Sequence, residues 1–320
     1  MLSYAAVKRF AFVMDPLKTL SLRWDTSLCL LRALAERGGE TFLFLPEDVF
    51  NRSNEVKGKG RRIKPLGGNH YKTGPEKEFC LADFDAVFIR KDPPFDAQYL
   101  ALTYLLEPLA KQTCVINDPR GIRNANEKLF TLAFSRWCPP TLVSANAEEI
   151  LNFQRKLRSD LVIKPLYEKG GKGVLLLRRK RRGGFKTRPY ITLQKATRSG
   201  KEFVVAQKFI PLPKEGGDKR ILIWRGEILG AFLKIPRPGE FRSNLSLRGS
   251  SFLPCTVTAP EKKLVREMRP VLLGEGLFFV GIDVRAGRLI EVNVTSPAGL
   301  VELDELYGGA SAKIAKSLPF

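Results

Sequence analysis

Short apolar runs alternate with amphipathic stretches through the first third of the chain: FAFVM, SLCLLRALAERGG, TFLFLP, ADFDAVFIR, YLALTYLLEPLAKQ and TCVIND. Strand-length runs interleaved with helix-length periodicity predict a parallel α/β sheet over about the first 120 residues. Residues 51–78 (NRSNEVKGKGRRIKPLGGNHYKTGPEKE) break this rhythm with glycine and charge, and are expected to form a mobile loop. From about residue 125 the pattern changes. NEKLFTLAFSRW reads as a helix stopped by Pro139-Pro140, and LVIKPL and VLLL read as strands joined by a glycine-rich turn. FVVAQKFIPLPKEGGDKRILIWRGEILGAFLKIP supplies further strands, and EKKLVREMRPVLLGEG an amphipathic helix. The class is α/β at the start and α+β overall.

The last strongly patterned segment carries the chemistry. VGIDV and LIEVNV are rich in β-branched residues, and the Ala286-Gly287 step between them is a turn signal, so they form a hairpin. Glu291 and Asn293 share one face by the period of two. A three-residue loop of Ala286, Gly287 and Arg288 puts Asp283 across from Glu291 on that face, where two carboxylates repel. A cation resolves the conflict. Two carboxylates and an amide oxygen suit a hard ion such as Mg²⁺, which shares its shell with water and substrate phosphates. The bland reading, an acidic solvent face, is weakened by the apolar residues around the acids.

Composition narrows the rest. With 320 residues and 44% hydrophobic content the chain can fill two or three cores. No apolar run approaches the ~20 residues of a membrane span, and the first residues lack the layout of a secretory leader, so a cytoplasmic protein without membrane contacts is expected. The five cysteines are scattered without a CxxC pair, which argues against disulfides and zinc. The single histidine, His70, makes histidine-based catalysis improbable. The formal charge of +21 fits nucleic acid, an anionic surface or acidic small substrates equally well. The densest run, RRKRR at 178–182, reads as a solvated hairpin tip.

Two lysines on separate elements, Lys128 and Lys164, join the flap glycines Gly170, Gly171 and Gly173 and the acid/acid/amide hairpin as a phosphate cradle with a metal clamp. No GxxxxGK[ST] loop is present. At strand ends of the first segment, where α/β sheets bind ligands, stand Asp15-Pro16 and the mixed-charge run Arg90-Lys91-Asp92.

In this order the elements resemble the ATP-grasp ligases, and most closely the bacterial glutathione synthetases. VMDP at 13–16, FIRKDPPFD at 88–96, NEKLF at 126–130, IKPL at 163–166, GDKR at 217–220 and GLFFVGID…EVNVTSP from 276 to 297 carry the likeness over nearly the whole chain. The resemblance implies a Rossmann-like substrate domain (1–124), a central lid subdomain with the glycine flap (125–205) and a C-terminal ATP-grasp subdomain with the metal site (206–320). It implies phosphorylation of the γ-glutamylcysteine carboxylate by ATP, followed by attack of the glycine amine on the acyl phosphate. It assigns ATP to Lys128, Lys164, Gly170, Gly171, Gln207, Lys208, Phe209, Ile210, Asp218 (at the ribose) and Asn293. Two Mg²⁺ ions, replaceable by Mn²⁺, fall to Asp283, Glu291 and Asn293. Arg220 and Lys164 become the catalytic cations. Asp15, Arg90, Lys91, Asp92, Arg242, Asn244, Thr295 and Ser296 face the substrates, and a homo-oligomer is expected.

The chain departs from that pattern in two places. Tyr167 and Glu168 replace the usual flap sequence after KPL, and GEFRSNLSLRGS looks like the loop of ligases that add glutamate to a peptide or protein end. Arg242, Asn244 and Arg248 of that loop could close over substrate and exclude water. Glutamate addition therefore stays open as an alternative acceptor chemistry. A non-catalytic, nucleic-acid-binding relative of the fold ranks well behind, because converging carboxylates without a cation are costly to keep.

Overall fold

A computed structural model describes residues 7–168, 170–179, 187–213, 216–243 and 251–318. The first sheet has six strands in the order β4-β3-β2-β1-β5-β6. These are β1 (Arg9–Met14), β2 (Glu40–Arg52), β3 (Glu55–Gly67), β4 (His70–Cys80), β5 (Ala86–Arg90) and β6 (Cys114–Ile116). β2-β1-β5-β6 is parallel, as the alternation of elements requires. Its strands are buried on both faces. Phe10, Phe12 and Met14 pack with helix α1 (Thr26–Glu36), while Ala11 and Val13 face helix α2 (Ala97–Leu106). Asp25 and Asp96 cap these helices by accepting the N–H of Leu28 and Tyr99, each at 2.9 Å.

The expected loop at 51–78 is instead an antiparallel ribbon, β2-β3-β4. Its inward positions include glycine, so the alternation is hard to see in the sequence. The Phe44 ring lies against Gly58 and Gly60, and a Cβ on Gly58 would come within 2.8 Å of it. Within this ribbon His70 begins a strand.

Helix α3 (Pro119–Asn124) leads out of the first sheet. The run expected to be a helix, NEKLFTLAFSRW, forms 3-10 turns over Phe130–Trp137 with a kink at Phe134. Asn126 Oδ1 accepts the N–H groups of Lys128 and Leu129, and Pro139-Pro140 follows at once, leaving only a short stretch, the usual setting for 3-10 geometry.

The second sheet runs β7-β10-β8-β9, built from β7 (Thr141–Ser144), β8 (Leu161–Pro165), β9 (Leu175–Leu177) and β10 (Val204–Lys208). It packs on α4 (Ala147–Leu157) and α5 (Thr187–Ala196). Of the RRKRR run, Arg178 and Arg179 are exposed and the others lie outside the described residues.

The third sheet runs β13-β12-β11-β14-β15: β11 (Asp218–Trp224), β12 (Glu227–Ile235), β13 (Ser251–Pro254), β14 (Phe279–Arg285) and β15 (Arg288–Asn293). α6 (Ala259–Gly274) starts with a capping box between Thr258 and Glu261 and covers one face. α7 (Leu300–Tyr307) and α8 (Ala310–Lys316) join the other face to the core of the first sheet. Asn117 stitches the sheets together: its amide donates to Phe279 O and Val294 O, and its Oδ1 accepts Phe279 N. Among the described residues no helix is long and apolar enough to cross a membrane.

Candidate active site

Asp283 lies opposite Glu291, and Gly281 opposite Asn293, in the β14-β15 hairpin. The pairing matches expectation, but the route to it differs. The loop has two residues, Ala286 (φ 46) and Gly287 (φ 73), the positive-φ pair of a tight hairpin turn. A bulge leaves Ile290 unpaired and restores the register at Asp283.

Arg220 sits across from Asp283 on β11 and donates to both of its oxygens, Nε to Oδ1 at 2.7 Å and Nη2 to Oδ2 at 3.1 Å. Lys234 Nζ stands 2.8 Å from Oδ2. Burial pushes this carboxyl toward the neutral form, but Arg220 and Lys234 outweigh it and hold it well below the usual carboxylate range. Arg220 Nη1 also donates to Ala298 O at 2.9 Å. Asn293 Nδ2 donates to Gly281 O, so its amide oxygen is the end left for a ligand.

Lys164, on β8, is buried and donates to Gln207 Oε1 at 2.9 Å and Ile290 O at 3.2 Å. Burial pulls its pKa down to about 8. Lys128 Nζ donates to Glu168 O at 2.8 Å and lies 3.5 Å from Glu291 Oε1. The two lysines thus reach one carboxylate-bearing strand from different elements. Gly170 and Gly171 adopt positive φ above them, and Arg242 Nη1 donates to Gly171 O at 3.0 Å. Flap and loop therefore meet across the cleft. Asn244 and Arg248 lie outside the described residues.

On the substrate side, Glu127 Oε1 accepts the Thr295 hydroxyl at 2.8 Å and, at longer range, the N–H groups of Val294 and Thr295. Burial raises the pKa of Glu127, with Glu291 adding to the rise. Ser296 lines the cleft and donates to Arg90 O at 3.4 Å. Arg90 is buried and spends its guanidinium on Ser27 Oγ and Pro297 O, so it braces the Thr295–Ala298 turn. Asp15 accepts the N–H of Asp92, and Lys91 Nζ donates to Asp92 O and lies over the Tyr99 ring.

Most of these side chains line a cleft of about 350 Å³. Of the expected residues it is lined by Asp92, Lys128, Lys164, Gly170, Gly171, Gln207, Lys208, Ile210, Asp218, Arg220, Arg242, Asp283, Glu291, Asn293, Thr295 and Ser296. Asp15, Arg90, Lys91 and Phe209 are not among the lining; the Phe209 ring packs edge-on to Phe241. Asp218, expected at a ribose, has both oxygens held by Arg285. Three charged lining residues went unremarked in the sequence: Glu127, Lys234 and Arg285. Each had a signal there. Glu127 adjoins Lys128, Lys234 is a lone cation in the apolar run GAFLKIP, and Arg285 shares strand parity with Asp283.

Among the described residues no three His, Cys, Asp or Glu side chains converge as a metal cluster. Asp283, Glu291 and Asn293 fit a hard cation in donor type, since all offer oxygen and all line one cleft.

Comparison with known proteins places this geometry. Residues 9–123 match the prokaryotic glutathione synthetase N-terminal domain, and residues 127–308 match the prokaryotic glutathione synthetase ATP-grasp domain. The glutathione synthetase of Synechocystis sp. is 39% identical over 312 residues, covering 94% of this chain and 95% of the relative. That of Nitrosomonas europaea is 36% identical over 307 residues, covering 94% and 93%. Among solved structures, the D-cycloserine synthetase DcsG superposes with a TM-score of 0.68 at 16% identity, over 97% of this chain and 100% of the other. The ATP-grasp ligase PsnB, complexed with its minimal precursor, gives 0.62 at 15% identity over 98% of each, so both are likenesses of fold. By sequence over nearly its full length, the chain belongs to the prokaryotic glutathione synthetase family.

Proposed function

We infer that the chain is an ATP-dependent carboxylate–amine ligase that joins γ-glutamylcysteine to glycine, giving glutathione, ADP and phosphate. The observation that carries the reading is the meeting of Lys128, Lys164, Arg220, Glu291 and Asn293 in one cleft. They come from elements far apart in sequence, and their chemistry is that of a phosphoryl-transfer site.

Lys128 and Lys164 hold the ATP phosphates through their ammonium groups, and the flap at Gly170-Gly171 brings backbone N–H groups over them. The dipeptide carboxylate attacks the γ-phosphorus, and the bond to the β-phosphate oxygen breaks as ADP leaves. The glycine amine then adds to the acyl phosphate, loses its proton and expels phosphate. Arg220 stands beside the Thr295–Ala298 turn and stabilises the oxyanion of that tetrahedral intermediate. Glu127 orients the same turn through the Thr295 hydroxyl. Arg242 closes the flap and keeps water from the acyl phosphate. Asp283, Glu291 and Asn293 would hold Mg²⁺, which when bound neutralises charge on the transferring phosphoryl group.

The test is ADP release with Mg²⁺ and ATP, supplying γ-glutamylcysteine with glycine, each alone, or γ-glutamylcysteine with glutamate. The expected result is turnover that needs both γ-glutamylcysteine and glycine and is lost in Glu291→Gln. Turnover with glutamate in place of glycine would transfer the assignment to a glutamate-adding ligase.

A further inference from the structure

Arg285 is buried in the wall of the cleft, and the reaction as described gives it no task. Its guanidinium joins three separate pieces of chain. Nε and Nη2 donate to Asp218 Oδ1 and Oδ2 at 2.5 Å and 3.0 Å, gripping the first residue of β11. Nη1 donates to Ile210 O at 3.2 Å, in the segment that follows β10 and links the second sheet to the third. Nη2 also donates to Phe241 O at 2.8 Å, next to the Arg242 that reaches the flap. One side chain on β14 thus ties together the segment after β10, the start of β11 and the residue before Arg242.

The position in the cleft says what this junction governs. Lys128, Lys164, Glu291 and Asn293 supply the charged and amide part of the lining, whereas Val162, Val174, Ile210, Phe241 and Ile290 supply apolar surface. If phosphates occupy the first, the base lies against the second. Arg285 holds two of those apolar residues by their backbone carbonyls.

We propose that Arg285 is a positioning residue for the nucleotide: its fork fixes Ile210 and Phe241 as the two walls of the base pocket, with Asp218 as the anchor that orients the fork. This rests on the reading of the cleft as an ATP site and deepens it. Asp218, expected at a ribose, is in this reading also the partner of Arg285. Only a planar, multidentate donor can do this, because a lysine ammonium is a point charge and cannot span a carboxylate and two carbonyls in one plane.

The experiment measures ATP affinity by calorimetry, without dipeptide or glycine, for the wild type, R285K, R285M and the double variant D218N/R285M, with melting temperatures alongside. The double variant removes the buried carboxylate that R285M would leave unpaired, so it keeps the test valid if R285M folds poorly. The expected result is ATP binding weakened about tenfold in all three, with R285K giving no rescue. Wild-type affinity in R285K or in D218N/R285M would overturn the proposal, since Arg285 would then only neutralise Asp218. A wild type that binds ATP but forms no glutathione would sink the reaction and leave the brace testable. A wild type that does not bind ATP would sink both.

Discussion

Lys164 carries the charge that the cleft holds least securely. It is buried on a strand, it donates to an amide and a carbonyl, and its pKa falls to about 8. The sign of its effect differs between folding and binding. Below about 8 the lysine is protonated in both folded and unfolded chains, so the full cost of burying its charge is present. That cost shrinks as pH rises from about 8 toward ~10.5, the unperturbed lysine value. Phosphate binding needs the ammonium and runs the other way. KM for ATP should therefore rise as pH passes through about 8, by up to roughly tenfold per pH unit, while Lys164→Arg flattens the profile. A wild-type KM that stays flat between pH 7 and 9.5 would rule this out. At this scale the sequence was informative about identity: Lys164 and Glu291 stand out as charges in apolar runs. It could not show their partners. Thr295 is 168 residues from Glu127, and Asp218 is 67 from Arg285, and no local pattern links such pairs.

Elements were legible where their period was unbroken. The parallel strands, α1, α2, α6 and the β14-β15 hairpin follow from alternation, caps and turn residues. The β3-β4 ribbon was not, because glycines stand at inward positions where a side chain would collide with Phe44. The hairpin shows how two irregularities can offset each other, since a loop one residue shorter than expected and a bulge at Ile290 still pair Asp283 with Glu291. The junction between elements is equally close-packed. α3 packs against the turn after α6, where Asp118 N donates to Gly276 O, and a Cβ on Gly121 would overlap the carbonyl of Glu275. A backbone carbonyl cannot rotate aside as a side chain can. Gly121→Ala is expected to destabilise the fold by about 1–3 kcal/mol through overpacking. Thermal melting checks this, and an unchanged midpoint would mean that the α3–α6 junction yields freely.

Across the whole molecule the net charge of +21 invites an electrostatic reading, yet the cleft holds little of the excess. Its lysines and arginines face nearly as many carboxylates. Around the hairpin, Asp283 is shared by Arg220 and Lys234, and Lys128 stands beside Glu291. A divalent cation entering alone would meet an Asp283 already clasped by Arg220 and Lys234, and would be repelled by Lys128, Lys164, Arg220 and Lys234. Nucleotide phosphates reverse that balance by drawing the lysines to themselves and offering oxygens of their own. Metal and nucleotide should therefore bind with strong positive coupling, which linkage requires to be reciprocal. The check is a Mn²⁺ titration followed by electron paramagnetic resonance, with and without ADP. Little Mn²⁺ should bind to the free protein at concentrations that load it when ADP is present. Lys234→Met should raise the affinity of the nucleotide-free protein, because one of the two cations on Asp283 is gone. Equal Mn²⁺ affinity with and without ADP would show that Asp283 is free to ligate in the resting cleft, and that its clasp by Arg220 and Lys234 does not gate the metal.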